Sequence, residues 1–226
     1  MGTITRALAN NITTGGIVAS SGVSNTSVSA ITALPSGVEE NDTFQLISTQ
    51  TASSSSSLSF TSGLDSTYDA YVFRFIDIHP ATDNVSFQFQ GSTDGGSNYN
   101  TTITSTAFLA AHNEADSSTE LTYLVNQDQA QGTGYQFLAE GIGNDNDQAN
   151  TGELWLYRPD STTFVKHFIA RVNKHTYDNA IGDQFFQGYF NTTSAINAID
   201  FKMSSGNIDS GIIKLFGVRD VGVGGI

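Results

Sequence analysis

The sequence predicts an all-β chain: an antiparallel β-sandwich of jelly-roll type, preceded by an extended N-terminal arm. Three observations carry this. Apolar and polar residues alternate with period 2 from Tyr68 onward, the pattern of half-buried strands. Clusters of Gly, Asn, Asp and Ser separate the alternating runs. Charged residues make up only 14% of the chain, against about 25% in an average protein. The polar surface must therefore come from Ser, Thr, Asn and Gln, which suit exposed strands and loops better than surface helices.

Taken in order, residues 1–60 are rich in Ser, Thr, Asn and Gly, hold only Phe44 and Phe60 as aromatics, and include the serine run Ser53 to Ser57. This composition predicts an arm spanning 1–60. Its apolar residues (Ile4, Leu8, Ile12, Ile17 and others) are scattered through polar sequence. Ordering a residue costs about 1–2 kcal/mol of backbone entropy, so such an arm is expected to need a groove or sheet edge on another molecule. Residues 61–226 then form the sandwich domain.

Within that domain Tyr71, Phe73 and Phe75 share one strand face, with Val72, Arg74 and Ile76 on the other. Val85, Phe87 and Phe89 alternate with Ser86, Gln88 and Gln90. Phe108 to Ala115 offers the one plausible helical turn. Leu154 and Leu156 flank Trp155. Phe164, Phe168 and Val172 fall on one face of a run that Lys166 interrupts. Ile199, Phe201 and Met203 alternate with Asp200 and Lys202, and Ile213 and Leu215 alternate with Ile212, Lys214 and Phe216. Turns are predicted at Asp94–Asn98, Gly141–Asp147 and Ser204–Asn207. No repeat of fixed period is present, which argues against a propeller or solenoid.

Composition also bounds the partners. The formal net charge is −13, with nine Lys and Arg in all. Binding to nucleic acid needs clustered cations, so nucleic acid is rejected as a partner. An anionic membrane surface is rejected on the same ground. There is no cysteine, so neither disulfides nor thiolate metal sites exist. Met1 to Asn11 lacks the apolar core of a signal peptide, and no stretch approaches the roughly 18 apolar residues of a membrane span. Synthesis in the cytoplasm is expected.

No constellation reads as catalytic, cofactor-binding or metal-binding. His79, His112, His167 and His175 show no zinc-motif spacing, and a structural role is expected for all four. Asp145-Asn146-Asp147 resembles the opening of a calcium loop, but Ala149 and Asn150 stand in the third ligand and glycine slots. His112-Asn113-Glu114-Ala115-Asp116 offers oxygen donors without a defining pattern. Glu114, Glu120, Glu140 and Glu153 are the carboxylates available to a glycosidase, and nothing in the sequence pairs them. Trp155, Tyr99 and Tyr123 lie near acidic or amide residues and could stack a sugar, although core or interface filling is the plainer reading. The sequons at Asn11, Asn25, Asn41, Asn84, Asn100 and Asn191 follow from a chain rich in Asn and Thr.

Three stretches resemble structural virion proteins of tailed phages of marine bacteria: Phe73 to Gly96 (FRFIDIHPATDNVSFQFQGSTDGG), Gly188 to Asp209 (GYFNTTSAINAIDFKMSSGNID) and Ile212 to Val218 (IIKLFGV). Leu8 to Gly16 (LANNITTGG) is also similar to phage virion proteins. The resemblance implies a virion protein of β-sandwich type; it carries over no functional residue and does not separate head from tail. Joined to the acidic, charge-poor composition and the arm, it gives one leading expectation. That is a non-enzymatic capsid decoration or cement protein on the particle exterior, a homotrimer docked on the major capsid protein or other virion proteins. The alternative is a tail fibre or receptor-binding protein that recognises a host-surface glycan. A glycan depolymerase is a third reading.

Overall fold

The structure, a computed structural model, describes residues 43–218. These residues form thirteen strands and no helix. In chain order they are β1 (Phe44–Ser55), β2 (Leu58–Phe60), β3 (Ala70–Pro80), β4 (Val85–Ser92), β5 (Ile103–Asn113), β6 (Thr119–Tyr123) and β7 (Ala130–Gly132). They continue with β8 (Gln136–Ile142), β9 (Asn150–Tyr157), β10 (Lys166–His175), β11 (Ala180–Phe190), β12 (Ala198–Met203) and β13 (Ile208–Val218). All pairings are antiparallel. A nine-stranded sheet runs β1-β13-β3-β9-β10-β11-β5-β6, with β7 also paired to β5, and a four-stranded sheet runs β2-β12-β4-β8. Nine strands against four exceed the eight of a minimal jelly roll; the small sheet covers one face of the large one, and among the described residues no strand covers the other.

The alternation seen in the sequence places the core. Tyr71, Phe73 and Phe75 of β3, Leu154 and Leu156 of β9, and Phe168 and Val172 of β10 point from the large sheet to the small one, where Phe87, Phe89, Ile199, Phe201 and Met203 meet them; all are buried. Phe87 and Phe201 stack with ring centroids 5.8 Å apart, and Phe75 meets both edge-on at 5.2 and 5.3 Å. Offset-stacked and T-shaped pairs of this kind let neighbouring rings interlock without voids.

Four sequence expectations are corrected. The boundary of the arm at residue 60 is too late. β1 pairs with β13 along its whole length, and Leu58 and Phe60 of β2 are buried in the core. The serine run closes β1 with Ser53 to Ser55 and connects it to β2 through Ser56 and Ser57; Ser54 adopts φ 49°, a left-handed conformation that tolerates short polar residues at modest cost. Residues 1–42, the remainder of the predicted arm, lie outside the described residues. Phe108 to Ala115 is no helical turn; it falls on and just beyond β5, whose neighbours β11 and β6 supply its hydrogen bonds. Phe164 leaves the face shared by Phe168 and Val172, because the strand begins only at Lys166, and its side chain is exposed. Gln90 and Asp200, expected on polar faces, are buried. The Gln90 amide donates to the carbonyls of Thr133 and Gly134, and the Asp200 carboxylate accepts from Ser59 and Tyr135, so the segment around Tyr135 lies over them.

Candidate functional site

The sequence-selected polar residues scatter over the molecule, with one partial convergence. His175 ends β10, pairs across β11 with Ile181, and Ile181 pairs with His112 on β5. These histidines share a cleft of about 490 Å3 with Asp77, Glu114 and Asp147. The His175 Nε2 atom is 3.4 Å from Glu114 Oε1, and His112 Nε2 is 3.0 Å from Asp116 Oδ1. Each histidine thus faces one exposed carboxylate. Among the described residues no three His, Asp or Glu side chains converge as a metal site.

Asp145 and Asp147 belong to a turn closed by Gln148, whose side-chain oxygen accepts from the Asp145 amide at 3.0 Å. The Gln148 side-chain amide donates outward to the Thr176 carbonyl at 3.2 Å and to Asn179 Oδ1 at 3.3 Å, which ties the turn to the β10–β11 connection. His79 donates its Nδ1 proton to the Gln148 carbonyl at 2.7 Å and so braces the same turn. His167 lies eight residues from His175 on one strand, about 26 Å at 3.3 Å per residue, and stands edge-on to Tyr189 at 5.9 Å.

The four glutamates also separate. Glu114 lines the cleft, and Glu120 is exposed on β6. Glu140 accepts from the Gln127 amide, and Glu153 accepts from Trp155 Nε1 at 2.9 Å. Trp155 stacks on Tyr157 with centroids 6.3 Å apart on the open face of the large sheet. Tyr99 is half-buried in the loop after β4, and Tyr123 donates to Asp128 on the far edge at 2.5 Å. The three candidate sugar-stacking aromatics do not form one platform.

What the sequence does not reveal is the open face itself. Consecutive registers place Lys214 of β13, Arg74 of β3, Glu153 of β9, Arg171 of β10, Phe185 of β11 and Phe108 of β5 in one row across the sheet. The neighbouring row is apolar: Leu46, Phe216, Val72, Trp155 and Ile169. Arg74 sits between two rings, its guanidinium carbon 4.5 Å from the Phe44 centroid and 5.2 Å from that of Phe216. It makes no ion pair within 4 Å among the described residues, whereas Arg171 holds Asp183 with two parallel contacts. Phe108 and Phe185 stack almost face to face, 4.5 Å apart at 7°. Leu46 and Ile169 are about half exposed. Such a surface offers apolar area flanked by oriented charge, the makeup of a protein contact.

Beneath the sheet, Lys174 is buried. Its ammonium donates to the Glu140 carbonyl, and loss of hydration lowers its pKa to about 8, against the opposing pull of Glu140, Asp178 and Glu120. Lys166, equally hidden, is lowered by burial too and donates to the carbonyls of Phe164 and Thr192 at 2.7 and 3.0 Å. Both side chains bind backbone of their own fold, which is a structural use of charge.

Comparisons with protein-family models, with curated proteins and with solved structures give no match. The described residues form an unequal antiparallel β-sandwich in which no strand covers the second face of the larger sheet.

Proposed function

We propose that this chain is a structural protein of a tailed-phage virion, made in the host cytoplasm and built into the particle as a capsid decoration or cement protein. It acts by packing against other virion proteins and copies of itself and not by catalysis. The observation that carries the reading is the open face of the nine-stranded sheet, where an apolar row with Leu46 and Ile169 about half exposed lies beside a row of charged and aromatic side chains. The resemblance of the Phe73–Gly96 and Gly188–Asp209 stretches to phage virion proteins points the same way. Residues 1–42 are the proposed docking arm. Quantitative mass spectrometry of purified particles tests the assignment. A copy number matching the capsid lattice supports a decoration role, a copy number matching a tail ring shifts it to the tail, and absence from the particle overturns it.

One observation favours a second reading, a receptor-binding protein. The stacked Trp155–Tyr157 pair is accessible on the open face, with the Glu153 carboxylate bonded to the indole. An aromatic surface beside a hydrogen-bonding carboxylate suits a sugar ring. Binding on a glycan array that is lost in Tyr157→Ala supports this reading, and sugar release from such a glycan would show an enzyme.

A further inference from the structure

We propose that copies of this chain associate head to tail, the acidic β6 edge of one copy docking on the cationic stripe of Lys214 and Arg74 on the next. The proposal deepens the self-assembly part of the reading above and rests on it.

The sequence has no Lys or Arg between Arg74 and Arg158, so β4 to β9 carry no permanent cation. The topology then separates the signs. Strands β13 and β3 sit near one edge of the large sheet and bring Lys214 opposite Arg74, while β5 and β6 form the other edge. The β5–β6 hairpin carries Glu114, Asp116 and Glu120, all exposed, and its histidine, His112, already faces Asp116. One sheet therefore has a positive stripe near one edge and a negative opposite edge.

Each end also has unburied apolar surface. At the acidic edge Leu121 is 80% exposed and Val125 70%. Near the cationic stripe Leu46 is 47% exposed beside Phe216. Among the described residues no strand pairs with the outer side of β6, and an edge strand with a bare leucine, here followed by the exposed Val125, is a feature that proteins generally cover or blunt. β6 has neither proline nor lysine to blunt it.

Lys214 and Arg74 stand directly opposite one another, and like charges in that position repel. Neither has a carboxylate within 4 Å among the described residues. Placing Glu120 and Glu114 of a second copy there relieves the repulsion and covers Leu121 with the apolar row beside it. The two rows cross five strands from β1 to β10, roughly 24 Å at the usual strand spacing, and lie two residues, about 7 Å, apart along the strands. A contact of two different surfaces is heterologous, and it closes into a ring when the rotation permits.

The test is sedimentation velocity on the purified full-length chain, with circular dichroism as the check on folding. The wild type is expected to form oligomers that weaken as salt rises. Lys214→Glu and Glu120→Lys are each expected to weaken association tenfold or more, and the double variant to recover most of it. Leu121→Ser, at a site too exposed to disturb the core, is expected to weaken association at every salt concentration. A wild type that stays monomeric, single variants that associate normally, or a double variant no better than either single one would each overturn the proposal. These outcomes are independent of particle composition, so failure here and failure of the virion assignment are read from different experiments.

Discussion

Lys214 of β13 and Arg74 of β3 are cross-strand neighbours, like charges held side by side on a protein whose formal net charge is −13. Within the isolated subunit this pairing works against stability, by about 0.2–1 kcal/mol for a directly opposed pair. Lys214→Gln is therefore expected to raise the melting temperature of the subunit slightly at low ionic strength. The gain should shrink in 1 M salt, where the Debye length falls to about 3 Å. A loss of stability in Lys214→Gln at low salt would mean that an acceptor holds the ammonium.

Phe201 is the ring on which the two sheets close, meeting Phe60, Phe73, Phe75, Phe87 and Phe89. Phe201→Ala leaves a cavity that five rings cannot fill together, and a cost of about 3–5 kcal/mol is expected in urea unfolding. Phe164→Ala, at an exposed loop position, is the matched control and should cost little. Equal effects at the two sites would contradict the placement of the core.

The faces of this core were readable in the sequence because the strand period is two and its large apolar residues keep to it. Phe87, Phe89, Phe201 and Leu215 stand where the alternation puts them. The first strands were not readable, since β1 is built from Gln, Ser and Thr around few apolar residues and is held by its pairing to β13. Period also could not reveal that Gln90 and Asp200 would be covered, because their partners lie in a segment more than forty residues away along the chain. The open-face row was hidden for the same reason: Arg74 and Lys214 are distant in sequence and meet only through register. The gap in Lys and Arg between Arg74 and Arg158 was visible, and it is the one sequence signal that foreshadows the charge separation.

Stability is expected to rise with pH across the mildly alkaline range. Burial lowers Lys174 to about 8 in the folded protein, below the value of about 10.4 for a free lysine. The folded state therefore gives up that proton before the unfolded state does. The cost of burying the ammonium is present in full below pH 8 and is relieved as pH rises through 8 toward 10, an effect of about 3 kcal/mol at most. Lys166, lowered by burial as well, acts in the same direction. Tyr71, raised to about 12 by burial, acts oppositely and only above pH 10, so urea midpoints at pH 7 and 9.5 isolate the lysines. Lys174→Met should remove much of the slope; an unchanged slope would show that Lys174 titrates normally.

Truncation separates the arm from the sheet. A chain starting at residue 43 retains all thirteen described strands, whereas one starting at residue 61 lacks β1 and β2. Loss of β1 bares the edge of β13, which pairs with it from Phe44 to Ser55, and removes Phe44 and Leu46 from the open face. Loss of β2 takes Leu58 and Phe60 out of the core and uncovers one side of β12. Two buried residues of that size account for several kcal/mol, comparable to the whole stability of a typical domain, about 5–15 kcal/mol. The chain from residue 43 is expected to be soluble, with a strand-rich circular dichroism spectrum and a cooperative melting transition. The chain from residue 61 is expected to aggregate or melt without cooperativity. On particles the shorter deletion is the informative one: if residues 1–42 are the docking arm, the folded chain from residue 43 should fail to decorate them. Full occupancy by that chain would assign docking to the sandwich alone.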